Sequence, residues 1–154
     1  MSVLKEGDLA PAIKAKDENG ELITLEEYRG KKVVLYFYPR DNTPGCTAEA
    51  CDLRDHYSQF VELGFEIIGV SADSEKSHTK FKNKHRLPFR LISDVDRKVL
   101  QDYGAWGEKR MYGKSYLGII RKTFIIDEEG FVEKIIEKVK TKEHSKQIFA
   151  ELSH

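Results

Sequence analysis

Lys32-Val33-Val34-Leu35-Tyr36-Phe37-Tyr38-Pro39-Arg40-Asp41-Asn42-Thr43-Pro44-Gly45-Cys46-Thr47-Ala48-Glu49-Ala50-Cys51 carries a strand, a stop, a helix start and both cysteines of the chain, in that order. Lys32 to Tyr38 is a continuous apolar, β-prone run, the pattern of a buried strand. Pro39 lacks a backbone N–H and ends it. Thr43 suits an N-cap, and Pro44 suits the first helical position, where no amide partner is needed. Beyond Cys46, apolar residues recur at Ala50, Leu53, Tyr57, Phe60 and Val61, which predicts one amphipathic helix ending at Gly64. Phe65-Glu66-Ile67-Ile68-Gly69-Val70-Ser71 reads as a second strand. Strand, helix, strand in this order implies a parallel, right-handed βαβ unit.

Farther along, Asp73 or Ser74 caps a helix reaching about Lys84, and Leu91-Ile92 reads as a short strand. Asp94 or Asp96 caps a brief helix to Tyr103. Residues 104–118 hold four glycines among polar and aromatic residues and read as a mobile loop. Lys122-Thr123-Phe124-Ile125-Ile126 and residues 131–139 form a hairpin about Asp127-Glu128-Glu129-Gly130, and residues 141–152 a closing helix with Ile148, Phe149 and Leu152 on its apolar face. The expectation is a single α/β domain over residues 1–154, thioredoxin-like, with a central mixed sheet flanked by helices. In such sheets chemistry gathers at the carboxyl edge of the strands, where Cys46 falls.

Lysine plus arginine equals aspartate plus glutamate at 26 each, so the net charge of zero gives no electrostatic case for nucleic acid or an anionic membrane. No apolar run approaches the ~20 residues of a membrane helix. The start, Met1-Ser2-Val3-Leu4-Lys5-Glu6, lacks the pattern of a signal peptide, so the expected location is cytoplasmic. Thiols stay reduced there, and a cysteine pair reads as reactive or metal-binding rather than as a permanent staple. A metal site needs more ligands, and His56, His78, His85, His144 and His154 show no ligand-pair spacing. The histidines read as surface residues, and neither metal nor cofactor is expected. His56 lies ~15 Å along the helix from Cys46, too far to be its base.

Cys46 falls at the third helical position, where unpaired N–H groups and the helix dipole favour a thiolate, the nucleophilic form. Five residues on, Cys51 is turned ~140° and displaced ~7.5 Å, which puts the Cα atoms ~8–9 Å apart, beyond disulfide reach. Cys46 shares the apolar face with Ala50, Leu53 and Tyr57, whereas Cys51 shares a polar face with Asp55, Ser58 and Glu62. A bond between the two would require local unwinding; otherwise Cys51 is a bystander.

Pro39, Thr43 and Cys46 match the Pro-x-x-x-Thr-x-x-Cys signature, so the chain resembles the peroxiredoxins, thiol peroxidases on an elaborated thioredoxin fold. Cys51 at this spacing is similar to the atypical 2-Cys bacterioferritin comigratory, or Q-type, group. So are Trp106-Gly107-Glu108-Lys109 and Gly118-Ile119-Ile120-Arg121-Lys122-Thr123-Phe124-Ile125-Ile126-Asp127. The likeness runs from about Gly7 to the C-terminus. It implies that Cys46 attacks hydrogen peroxide or an organic hydroperoxide and becomes a sulfenic acid. It implies that Thr43 binds the reacting oxygens, that Pro39 shields the sulfur, and that Arg121, by itself readable as a solvated strand end, lies beside Cys46. Cys51 would resolve the sulfenic acid as a Cys46–Cys51 disulfide, with thioredoxin as reductant. An intramolecular pair lets a monomer turn over and does not forbid a dimer. The alternatives are a thioredoxin-fold redox sensor and a disulfide oxidoreductase, although the latter usually carries Cys-x-x-Cys.

Overall fold

The computed structural model describes residues 4–152. Its centre is a five-stranded sheet of β3 (Lys32–Phe37), β4 (Phe65–Ser71), β5 (Arg90–Ser93), β8 (Lys122–Ile126) and β9 (Val132–Ile136), in the order β5-β4-β3-β8-β9. β4 runs parallel to both β3 and β5, whereas β8 is antiparallel to β3 and β9, so the sheet is mixed as expected. Small two-stranded pairs stand outside it: β1 (Lys14–Lys16) with β2 (Leu22–Thr24), and β6 (Trp106–Met111) with β7 (Lys114–Ile119). The helices are α1 (Pro44–Asp55), α2 (Tyr57–Glu62), α3 (Glu75–His85), α4 (Lys98–Asp102) and α5 (His144–Leu152).

Strand β3 is buried on both faces, and its period of two sorts the core into two layers. Val33, Leu35 and Phe37 pack with Ile68, Leu100, Tyr103 and Phe124. Val34, Tyr36 and Tyr38 pack on the other side with Cys46, Ala50 and Leu53 of α1, Phe81 of α3 and Ile148 of α5. The tyrosines need room from the neighbouring strand. A Cβ at Gly69 would lie 2.9 Å from the Tyr36 ring and 2.8 Å from Leu91, so only glycine fits there.

Three expectations are corrected. The helix predicted to reach Gly64 breaks at His56, where the imidazole Nδ1 binds the Asp52 carbonyl at 2.8 Å. A continuing helix would give that carbonyl to the His56 amide, which instead reaches Leu53. Ser58 and Glu62 therefore do not extend the face that holds Cys51. Residues 104–118 contain not a loop but the β6–β7 hairpin, in register Trp106↔Ile119 to Met111↔Lys114. Its two-residue turn, Tyr112-Gly113, takes positive φ at both positions, the left-handed turn that matches strand twist.

The histidines, finally, are not all at the surface. His78 and His144 are fully buried, each held by hydrogen bonds that periodicity cannot reveal. His154 lies outside the described residues. Among the described residues, no helix is long and apolar enough to cross a membrane.

Candidate active site

Parallel pairing of β3 with β4 and antiparallel pairing with β8 bring three chain segments to one sheet edge. Phe37 stands opposite both Val70 and Lys122, so Arg121, just before β8, adjoins the point where β3 gives way to the loop at 39–43. Pro39 is half-buried at the head of that loop. Thr43 occupies the N-cap with extended backbone, and its carbonyl accepts from the Thr47 amide at 2.8 Å. Its side chain does not cap the helix: the hydroxyl donates to the Arg40 carbonyl at 2.9 Å. The hydroxyl proton is thereby committed to that carbonyl, and the oxygen lone pairs remain available to accept.

Cys46 lies in the first turn of α1 and is only 1% exposed. Arg121 Nη2 is 3.2 Å from its sulfur. A Cβ on Gly45 would be 3.4 Å from the same nitrogen, so the guanidinium lies against the start of the helix. Seventy-five residues of chain separate these partners, a juxtaposition that only the sheet register creates. Arg121 Nη1 is bonded to Glu49, which is fully buried. Burial works against the arginine's charge, but Glu49 and the Cys46 sulfur outweigh it and hold the guanidinium above its ordinary value. Burial raises the Glu49 carboxyl to about 7, although Arg121 pulls it down.

Sequence reasoning does not single out Glu49, yet a signal exists. It lies at i+3 from Cys46, with Ala50 and Leu53 at i+4 and i+7, and is thus a carboxylate on the buried stripe of α1. Beneath it sit Thr123 and His144, whose Nε2 is 2.7 Å from the Thr123 hydroxyl and 3.6 Å from Glu49 Oε2. Gln147 Oε1 accepts from the Lys140 amide and from His144 Nδ1, both at 3.0 Å. The Nδ1 therefore carries the hydrogen, and Nε2 accepts from Thr123. Burial, chiefly, pushes this imidazole down to about 4, so it is neutral near pH 7.

Cys51 is partly buried and unbonded to Cys46. Its sulfur lies 3.7 Å from His85 Nδ1, at the end of α3. The helix that carries both cysteines is pinned at its far end. Asp52 Oδ2 accepts from the Ser145 amide at 2.6 Å, and Arg54 donates to the His85 carbonyl at 2.8 Å.

The structure thus gathers Cys46, Arg121 and the Thr43–Pro39 loop at one edge and leaves Cys51 one and a half helical turns away, in a thioredoxin-like fold with a cysteine at its working edge. The AhpC/TSA family pattern matches residues 7–135, and the chain belongs to that family. It is 51% identical over 138 residues to peroxiredoxin Bcp of Bacillus subtilis, covering 90% of this chain and 88% of that protein. The structure of a cysteine-to-serine mutant of Xylella fastidiosa PrxQ superposes with a TM-score of 0.91 at 31% identity, covering 99% of this chain and 98% of that one. A Xanthomonas campestris bacterioferritin comigratory protein, solved as trapped intermediate and ligand complexes in connection with its alkyl peroxide reduction activity, superposes at 0.85 with 39% identity. That match covers 92% of this chain and 90% of the other.

The buried histidine yields a stability test. The folded state holds His144 at about 4 against about 6.5 when unfolded, so the unfolded chain takes up its proton first as pH falls. Between about pH 6.5 and 4 this should cost the native state up to about 3 kcal/mol. Glu49 works in the opposite sense, because its raised pKa makes the folded state the better proton acceptor below about 7. Urea unfolding of wild type and His144→Gln from pH 7 to 4 should give curves that diverge toward acid, wild type losing more; parallel curves would remove His144 as the cause.

Proposed function

We propose that this chain is a thiol peroxidase reducing hydrogen peroxide and organic hydroperoxides, with Cys46 as the attacking thiolate. The observation that carries this reading is the Arg121 guanidinium 3.2 Å from a buried Cys46 sulfur at a helix N-terminus. A permanent cation there favours negative charge on sulfur, and later offsets charge developing on the departing oxygen. The alkyl peroxide reduction activity of the Xanthomonas relative supports the same chemistry.

In the first step the Cys46 sulfur forms a bond to one peroxide oxygen as the O–O bond breaks. The other oxygen leaves with the bonding electron pair and takes a proton to become water or an alcohol, and Cys46 becomes a sulfenic acid. Thr43, its proton committed to Arg40, accepts the peroxide O–H and orients it, while Pro39 limits water at the sulfur.

In the second step the Cys51 thiolate attacks the Cys46 sulfur, the S–O bond breaks, and hydroxide leaves as water with the proton Cys51 gave up. In the wound helix the Cα atoms are ~8–9 Å apart, so the first turns of α1 open for this step. Asp52 and Arg54, held to α5 and α3, mark where the opening stops. A dithiol reductant of the thioredoxin type then restores both thiols, and the cycle is complete within one monomer in the cytoplasm.

Peroxide consumption with thioredoxin, its reductase and NADPH tests the cycle. Cys46→Ser should abolish it; Cys51→Ser should allow one round of Cys46 oxidation and lose sustained turnover. A single oxidation without turnover in wild type would favour the redox-sensor reading. Replacing Arg121 by Ala should slow Cys46 oxidation by about 10²-fold or more, the scale of losing one preorganised oxyanion donor, and an unchanged rate would take Arg121 out of the mechanism.

Hydrogen exchange tests the unwinding. If residues 44–51 open, amides 48–55, which donate four residues back, should lose protection in the oxidised protein, whereas the Ser145 amide on Asp52 stays protected. Unchanged protection across 48–55 would contradict the unwinding.

A further inference from the structure

We infer that His78, through Asp41, is a positioning residue for peroxide reduction, holding the 39–43 loop so that Pro39 and Thr43 stay in place around Cys46. The inference rests on the reading of Cys46 as the attacking thiolate.

The loop, residues 39–43, is irregular backbone with Asn42 at φ 63°, and with Tyr38 it links the end of β3 to the start of α1. Asp41, at its centre, is buried and points into the protein rather than to solvent. Its carboxylate accepts from the Tyr38 hydroxyl at 2.6 Å and the Ser77 hydroxyl at 2.8 Å, and faces His78 Nδ1 at 2.7 Å. Its backbone amide donates to Asp73 Oδ2 at 2.8 Å, an oxygen that also accepts from the Ser71 hydroxyl at 2.6 Å. The loop is thereby tied to the ends of β3 and β4 and to α3.

His78 is the far anchor of this clamp. Its Nε2 is 2.8 Å from the Ile92 carbonyl, an acceptor only, so Nε2 carries a hydrogen. Nδ1 facing the Asp41 carboxylate then shares one further proton with it, in a place where neither side chain meets solvent. Burial alone would disfavour the charged imidazole, but Asp41, the Ile92 carbonyl and Asp73 outweigh it and raise its pKa. Ligand-type atoms of Asp41, Asp73 and His78 lie within 4.8 Å of one another, close enough to suggest a cation site. Donors already fill that geometry: three hydrogen bonds converge on Asp41, and both ring nitrogens of His78 are engaged.

The clamp follows a continuous path, from the β5 backbone through His78 to Asp41, and two residues on to Thr43. That residue's hydroxyl is itself fixed by the Arg40 carbonyl on the other side of Asp41. Arg121 and the helix reach Cys46 by another route, from β8 and α1. Loosening the clamp should therefore impair orientation of the peroxide while leaving the charge environment of the sulfur intact. Misplacement of an orienting group by an ångström can cost up to ~10²-fold in rate.

The test compares two reactions of Cys46 in proteins that remain folded by circular dichroism: oxidation by hydrogen peroxide, which needs Thr43 and Pro39, and alkylation by iodoacetamide, which does not. His78→Ala should slow oxidation by about 10-fold or more with alkylation within about 2-fold of wild type. His78→Asn, which can place an N–H near the Nδ1 position, should recover part of the loss. Tyr38→Phe, isosteric and leaving no buried charge unpaired, should slow oxidation severalfold and serves if His78→Ala does not fold. Wild-type oxidation rates in both His78→Asn and Tyr38→Phe, or peroxide and alkylation rates falling together, would overturn the positioning role. Failure of the wild type itself to react with peroxide at Cys46 would instead overturn the peroxidase reading.

Discussion

The contact between Arg121 and the Cys46 sulfur sets the terms for everything around it. A guanidinium cannot be left buried without compensation, so the protein supplies Glu49 on one side and the sulfur on the other. Glu49 in turn is a carboxylate in the core, and burial drives it toward its neutral form even beside an arginine. Thr123 and the neutral His144 complete the layer under it. The arrangement divides the arginine's charge between a group that competes for it and a sulfur that uses it, and the competition weakens whenever Glu49 is protonated.

The same residues sit on a helix that the proposed chemistry requires to open. Helix α1 is built unevenly for this. Its first eight residues carry the two cysteines and Glu49, and its last four are stapled through Asp52 and Arg54 to neighbouring helices. Opening those first eight residues would expose apolar Cys46 and Ala50 and break the Glu49–Arg121 pair. In the proposed cycle the wound state is thus held by interactions concentrated around Cys46, so chemistry at the sulfur would shift the balance between the two forms. The loop at 39–43 has separate anchors on α3 and on Asp73 just past β4, so it need not follow the helix if that opens.

Much of the fold is legible along the chain because its central strands are buried on both faces. The continuous apolar run at 33–38 and the Ile- and Val-rich segment at 65–71 admit few other readings, and both recur as β3 and β4 within a residue. The hairpin at 106–119 reads as a loop because most of its residues are exposed and only Ile119 is fully buried. Without a buried face, alternation carries no apolar signal, and the glycines dominate the pattern. The break at His56 escapes for a different reason: one imidazole nitrogen takes a carbonyl that helical periodicity assigns to the backbone.

By itself the sequence determined the local chemistry: a strand ended by Pro39, a helix begun at Thr43-Pro44, a cysteine in its first turn, and a second thiol too far along the same helix to bond without movement. Those features depend on neighbours within a few residues, where backbone geometry is nearly fixed. Only tertiary structure decided which distant groups face that cysteine. Arg121 reaches it because β8 pairs with β3 in one particular register, and a one-residue slip would turn every side chain of β8 to the opposite face. His78, a surface residue by its sequence alone, closes on Asp41 because α3 packs over the carboxyl edge of β3. Charge and hydrogen bonding act through space over a few ångströms, and positions along the chain do not record which residues will come that close.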